Sequence, residues 1–258
     1  MGHVKIISYA NKLEMYEYDR DILVLKGRGK PIKCESATSH GDEDMGAGGK
    51  DILQKRKLGK RPDNARRASM AFRRIVASNL GETSSPILVT LTYRDNFTNL
   101  GLAYQHFSAF TRTLRSKYGK EFRYICVPEF QKRGAVHFHA LVWGLPEEVV
   151  LQERNTRALA GLWAKGFVFL KQTDGNERLS RYLSKYMAKA FTDPRLKNQK
   201  SYVASKNILR PLIQSGSFLI EEVLAQFRVT EPAIFDQSFT TSWLGNGRYR
   251  VFNTHDID

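Results

Sequence analysis

Along the middle of the chain, the hydrophobic positions switch between the two-residue period of strands and the longer period of amphipathic helices. Apolar runs rich in β-branched residues predict strands, and stripes spaced by three or four residues predict helices. The predicted elements are strands at Ile87–Tyr93, Phe122–Phe130, Val136–Trp143 and Phe167–Leu170 and helices at Leu102–Lys117, Leu151–Ala164 and Glu177–Phe191. Their β-α-β-β-α-β-α order predicts an α+β fold, an antiparallel sheet of split β-α-β type with helices packed on one face.

On either side of this core the pattern is weaker. Residues 1–80 are interpreted as an N-terminal extension, residues 81–194 as the core, and residues 195–258 as a C-terminal extension of unknown role. The extensions are expected to contain strands at Val4–Tyr9 and Arg248–Phe252, a mobile glycine-rich loop at Gly27–Lys50, a basic helix that begins near Pro62, and a helix at Ser217–Phe227. No internal repeat or clear second domain is evident in the sequence.

The net charge of the chain indicates what kind of molecule it binds. The chain has 41 Lys and Arg residues against 26 Asp and Glu residues, which gives a formal net charge of +15. Such an excess suits a polyanion such as nucleic acid. Cationic residues are dense between Lys55 and Arg74, where they either contact DNA phosphates or form a solvated helix face.

Cysteine content and hydropathy indicate the cellular compartment in which the protein is expected. Cys34 and Cys126 are the only cysteines, too few for a disulfide framework or a thiolate zinc site. No run of eighteen apolar residues is present, which argues against a signal peptide or membrane span. We therefore expect a soluble, intracellular protein in the cytoplasm of a host cell, without a membrane partner.

Two histidines interrupt the apolar strand at Val136–Trp143. Because side chains alternate along a strand, His137 and His139 point to the same face, about 7 Å apart at Cα. Burying two adjacent imidazoles has a desolvation cost unless something binds them, and one metal ion would bind both. The other interpretation is a pair of hydrogen-bonded structural histidines.

Glu129 lies on the preceding predicted strand. A hairpin that turns near Arg133 places Glu129 opposite His137 and on the same face. Two imidazoles and one carboxylate leave positions open for water and a phosphate oxygen, and this mixed donor set suits Mn2+ or Mg2+ better than a structural zinc. The alternative for Glu129 is a surface ion pair with Lys132 or Arg133.

Two tyrosines and two lysines share the last predicted helix. Tyr182 and Tyr186 are one turn apart, as are Lys185 and Lys189, beside an apolar stripe that begins at Leu179. A phenol has a pKa of about 10, so a nearby cation or metal helps it act as a nucleophile by favouring phenolate. Alternatively, the tyrosines are packing residues of an amphipathic helix.

Together these motifs resemble those of the HUH endonucleases, in particular the two-tyrosine replication initiators of small circular single-stranded DNA phages and related elements. The similarity rests on the His-x-His strand, on Glu129 eight positions before His137, and on the Tyr-x-x-Lys-Tyr helix, in that order. Leu88–Tyr93 is similar to the first motif of the family, a core strand. The resemblance covers Ile87–Phe191.

The resemblance implies a metal-dependent, site-specific DNA endonuclease and strand transferase. The site residues are the implied metal ligands His137, His139 and Glu129, the implied nucleophiles Tyr182 and Tyr186, the assisting Lys185, and Lys189, which has the same spacing after Tyr186. The implied reaction joins the 5′ end of single-stranded or hairpin origin DNA to a tyrosine and leaves a free 3′-hydroxyl for rolling-circle replication. Because the chain has no Gly-x-x-x-x-Gly-Lys-[Ser/Thr] motif, a helicase is expected from the host. The free 3′ end is expected to prime a host polymerase.

Three other interpretations fit part of the pattern. A non-catalytic module similar to an RNA-recognition domain would share the element order and the positive charge, but would need no metal. An HUH transposase or relaxase would use the same chemistry for another purpose. A histidine-triad nucleotide hydrolase needs a third alternating histidine, whereas Ala135 and Leu141 occupy the flanking positions here.

Overall fold

The structure, a computed structural model, describes residues 3–19, 66–80, 85–146, 149, 153–173, 179, 193–196, 199–241 and 245–254. The loop predicted at Gly27–Lys50 and the helix predicted at Glu177–Phe191 lie outside these residues, apart from Leu179. Two compact units are present. The flanking unit contains the described residues of Met1–Asn64 and Ile213–Asp258, and the central unit contains those of Ala65–Leu212.

The secondary structure of the described residues is mixed. The strands are β1 (His3–Tyr9), β2 (Lys12–Tyr18), β3 (Ile87–Tyr93), β4 (Arg123–Phe130), β5 (Val136–Trp143), β6 (Gly166–Gln172), β7 (Val203–Ala204), β8 (Leu212–Gly216), β9 (Phe235–Thr241) and β10 (Gly245–Asn253). The helices are α1 (residues 66–77), α2 (Leu100–Tyr118), α3 (Glu153–Trp163) and α4 (Ile220–Gln226). None of the described helices is long and apolar enough to cross a bilayer.

The central unit is built on a five-stranded antiparallel sheet with the strand order β6-β3-β5-β4-β7. Strands β4 and β5 form the predicted hairpin, and β3 separates β5 from the edge strand β6. The bounds of β3 and β5 are those predicted from the sequence. The α+β class expected for the chain is therefore confirmed.

Aromatic packing fixes which way β5 faces. The Phe138 ring lies 5.0 Å from the Phe107 ring of α2 and 6.5 Å from the Trp163 ring of α3, measured between centroids. The Phe110 ring of α2 lies 5.7 Å from that of Trp163. Both helices therefore cover the face to which Phe138 points, and alternation along the strand places His137 and His139 on the other face.

Helix α1 is the amphipathic helix predicted for the basic segment. Phe72 is fully buried, whereas Arg66 and Arg67 are exposed. Just after the helix, the buried Asn79 side chain donates to the Leu209 carbonyl at 2.9 Å and accepts from its amide at 3.1 Å. It also donates to the Ile75 carbonyl at 2.7 Å. These bonds tie α1 to the segment that follows β7.

The flanking unit joins distant parts of the sequence in a second five-stranded sheet, in the order β8-β1-β2-β10-β9. Strand β2 pairs antiparallel with β1 on one side and with β10 on the other. Helix α4 packs on this sheet through Val223, and Phe227 directly after the helix joins the same core, whose members include Leu13, Met15 and Phe252. The pattern predicted β1, α4 and part of β10, but it gave no indication of their pairing.

Candidate metal centre

Glu129, His137 and His139 converge on the face of the central sheet that points away from α2 and α3. The register of the β4–β5 hairpin pairs Glu129 with His137, as predicted. Candidate ligand atoms of the three residues all lie within 4.8 Å of one another, and the two imidazole centroids are 4.7 Å apart. The Glu129 carboxylate reaches diagonally to Nε2 of His139, at 2.8 Å. We call these three residues the His–Glu cluster.

Two threonine hydroxyls of β3 support the imidazoles from the other side. Strand β3 pairs Thr92 with His137 and Thr90 with His139. The Thr92 hydroxyl lies 3.0 Å from Nε2 of His137, and the Thr90 hydroxyl lies 3.5 Å from Nδ1 of His139. Each imidazole is thus held by a hydroxyl whose donor or acceptor role depends on the tautomer. The sequence carried a signal for this, because Thr-x-Thr has the same two-residue period as His-x-His.

The surroundings of His137 favour its neutral form. Burial is the main cause that lowers its pKa to about 4, and the neighbouring His139 and Arg133 lower it further, against the opposing effect of Glu129. At neutral pH the ring is therefore uncharged and has a lone pair to offer. Metal ligation by histidine requires this neutral state.

Arg133 lies in the β4–β5 turn, beside the cluster. Its guanidinium donates to the backbone carbonyls of Tyr93 at 2.5 Å and Arg94 at 3.1 Å. It therefore links the hairpin turn to the end of β3. These bonds also place a fixed positive charge near the open end of the cluster, which suits an incoming phosphate.

The donor set and its burial fit a divalent cation. Two imidazoles and one carboxylate can bind an ion and leave positions open for other ligands. His139 is 6% exposed, while Glu129 and His137 are intermediate, so the cluster is shielded on one side and open on the other. The cluster could therefore hold a metal ion that also contacts a substrate.

The remaining predicted site residues are Tyr182, Lys185, Tyr186 and Lys189, and they lie outside the described residues. Their roles stay predictions from the sequence. Leu179, which begins the apolar stripe of the same predicted helix, is described and is buried in the core of the central unit.

One family model matches the chain. Its description is Replication-associated protein ORF2/G2P, and it covers residues 86–191, less than half of the sequence. The matched region contains the whole His–Glu cluster together with the segment that carries Tyr182 and Tyr186. The match supports a role in DNA replication with DNA binding and a nuclease or nickase activity. Comparison with curated proteins and with solved structures gave no match.

Proposed function

We propose that this chain is a rolling-circle replication initiator, an HUH-type endonuclease and strand transferase that nicks single-stranded origin DNA. The observation that carries the proposal is the convergence of Glu129, His137 and His139 on one open sheet face within the matched region. The positive net charge of +15 suits the DNA substrate.

In this proposal the His–Glu cluster holds Mn2+ or Mg2+. Such an ion, when bound, polarises the scissile phosphate and offsets the charge that develops on its oxygens. Glu129 supplies a hard oxygen donor, and ligation of an ion by His139 through Nε2 would replace the 2.8 Å contact that this atom makes with the Glu129 carboxylate. The Thr92 and Thr90 hydroxyls hold the two rings toward the open face.

The covalent step is assigned to the tyrosine pair. The phenolate oxygen of Tyr182 or Tyr186 attacks the phosphorus, the bond from phosphorus to the 3′ oxygen breaks, and the departing oxygen takes up a proton to become a free 3′-hydroxyl. The 5′ phosphate stays joined to the tyrosine. One phosphodiester replaces another, so no nucleotide cofactor is consumed. Lys185 and Lys189 stabilise charge on the phenolate or the leaving group.

Two tyrosines four positions apart in the sequence would allow the site to complete a round of replication. While one tyrosine holds the 5′ end, the other attacks the regenerated origin junction. The 3′-hydroxyl released by this second cleavage attacks the phosphorus of the first phosphotyrosine. The bond from phosphorus to the first tyrosine breaks, a phosphodiester forms, and a circle is released. A host polymerase extends the 3′ end and a host helicase separates the strands between these steps.

A covalent adduct tests the proposal. The full chain is incubated with end-labelled single-stranded hairpins, including a pool with randomised loops, and with Mn2+, and the products are separated under denaturing conditions. We expect a protein-linked DNA band that disappears in EDTA and in the His137→Ala/His139→Ala variant. DNA binding that is indifferent to EDTA, with no adduct from any hairpin, would instead identify a non-catalytic binding module. A preference for transposon-end or transfer-origin substrates would assign the same chemistry to a transposase or relaxase.

A further inference from the structure

Two phenylalanines of the edge strand β6 are exposed on the face that carries the His–Glu cluster. Phe167 is 69% exposed and Phe169 is 61% exposed. We propose that these rings, the Phe167–Phe169 platform, stack on unpaired bases of a single DNA strand that runs to the cluster. The inference rests on the proposed function for its direction toward the cluster, but its test does not require the nicking reaction.

The register of the sheet places the platform on the same face as the cluster. Strand β3 pairs Thr92 with Phe167 on one side and with His137 on the other. Two residues away on the same face, β3 pairs Thr90 with Phe169 and with His139. Residues directly opposite in an antiparallel sheet share a face. Each phenylalanine thus lies two strands away from a histidine, about 10 Å across the sheet.

Each of these rows is most exposed at the edge strand. In one row, His137 and Thr92 are intermediate and Phe167 is largely exposed. His139 is buried, Thr90 is intermediate and Phe169 is largely exposed. In β6 itself, Val168 points to the opposite face and is buried in the core of the central unit. The strand therefore has its ordinary apolar side covered and carries large aromatic rings on its other side. Exposed aromatic residues on an edge strand are a liability unless a partner covers them.

The charges near the platform favour nucleic acid as that partner. Lys171 follows at the next position on the same face of β6 and is exposed. At the other end of the strand, the Lys165 carbonyl accepts from the Arg94 amide at 2.9 Å, so these exposed cations are neighbours. Asp95 is the acidic residue next to them in sequence. The excess of positive charge would repel a second copy of the chain and attract phosphates.

The two phenyl rings favour unpaired bases as the part of the nucleic acid that they contact. Every base has a flat face that can stack on a phenyl ring, so such a platform tolerates any sequence. In a duplex those faces are already occupied by neighbouring bases. The platform therefore selects single-stranded DNA, while the cations hold its backbone without reading bases.

The test is the affinity of the full chain for fluorescein-labelled oligo-dT, measured by anisotropy in EDTA, where no cleavage occurs. We expect Phe167→Ala and Phe169→Ala each to raise the Kd about five-fold or more, and the double variant to raise it further. Phe→Tyr at either position should retain affinity because the ring is kept. Phe235→Ala is the matched control, since Phe235 is an exposed phenylalanine on the edge strand β9 of the flanking unit.

An oligonucleotide of abasic sugar-phosphate units separates stacking from charge. The alanine variants should bind it as the wild type does. Equal loss on both oligonucleotides, or no loss on oligo-dT, overturns the platform. So does a change of oligomeric state in sedimentation without a change in Kd, since a second copy would then be the occupant. Weaker binding by the alanine variants, combined with a wild type that forms no adduct, would retain the platform and reject the proposed nicking function.

Discussion

The Glu129 carboxylate lies 2.8 Å from Nε2 of His139, although its partner across the hairpin is His137. The carboxylate therefore contacts the more buried of the two histidines. His137 remains on the open side, beside the Thr92 hydroxyl. The three candidate ligands thus have unequal surroundings, and substitutions at the three positions should have unequal effects.

Metal affinity is expected to depend most on the histidines. His137→Ala or His139→Ala should abolish measurable Mn2+ binding in titration calorimetry, because each removes a nitrogen donor. Glu129→Gln should weaken binding less, since water can take the position of a lost carboxylate at a hard cation. A wild-type nicking rate in the double histidine variant would disprove the metal assignment, and unchanged affinity in Glu129→Gln would remove Glu129 from the ligand set.

The threonines of β3 are expected to act by positioning the imidazoles. Thr92→Val keeps the size of the side chain but removes the hydroxyl 3.0 Å from His137, and it should lower metal affinity about 10-fold. Thr90→Val should have a smaller effect, because the distance from its hydroxyl to His139 is longer, at 3.5 Å. Thr92→Ser, which restores a hydroxyl, is the control. If serine and valine behave alike, the hydroxyl has no positioning role.

The tyrosine assignment can be decided by peptide mapping of the covalent adduct. We expect adducts on Tyr186 in Tyr182→Phe and on Tyr182 in Tyr186→Phe, as alternation requires. An adduct found on one residue alone would make the other a packing residue. An adduct that persists in the double variant would end the tyrosine mechanism. Lys185→Met and Lys189→Met should slow nicking without weakening DNA binding, because the charge acts on the reacting oxygens.

The basic helix α1 is expected to contribute sequence-independent DNA affinity. Replacing Arg66, Arg67, Arg73 and Arg74 with Gln should reduce the slope of log Kd against log salt, by about one unit for each phosphate that the helix no longer binds. Arg66, Arg67 and Arg73 are exposed, so the fold should tolerate the change. An unchanged slope would show that this face is only solvated.

Asn79 is expected to be important for stability. Asn79→Ala removes three hydrogen bonds and leaves the Leu209 backbone groups unpaired, which should lower the free energy of unfolding by about 2–4 kcal/mol. Denaturant titration with nearby Ser78→Ala as the control would measure this. Ser78 bonds the Arg74 carbonyl within one turn and ties no distant segment. Equal losses in both variants would contradict the special role of Asn79.

Local patterns predicted strands β3 and β5, the β4–β5 hairpin and the convergence of Glu129, His137 and His139. Period-two alternation and the five-residue connection between Phe130 and Val136 fix the register of this hairpin, so the sequence alone sufficed to place Glu129 opposite His137. The carboxylate's diagonal reach to His139 depends on side-chain conformation, which alternation does not determine. The exposure of Phe167 and Phe169 could not be predicted either, because a run of apolar residues does not show which face of the strand is covered.

The sheet of the flanking unit could not be predicted from the sequence, for a different reason. Strand β2 contains Glu14 and Glu17 among its apolar residues, and Glu14 is nevertheless buried. Tyr9 and Tyr16 donate hydrogen bonds to the Glu14 carboxylate, at 2.7 and 3.4 Å. A buried acidic residue interrupts the apolar pattern by which a strand is predicted from hydropathy. The partner strand β10 is also distant in sequence, so no turn signal predicts its pairing with β2.

The pairing of β2 with β10 also sets an order of events during synthesis. Lys12 and Asn253, which hydrogen-bond across these strands, are separated by 241 positions. The central unit is continuous in sequence and can fold on the ribosome, whereas the β1–β2 hairpin must wait for β10 as an isolated, marginally stable ribbon. Through most of translation the edge of β2 that pairs with β10 therefore has no partner strand. A chain that stalls before β9 would have a complete His–Glu cluster but would need a chaperone to protect this edge.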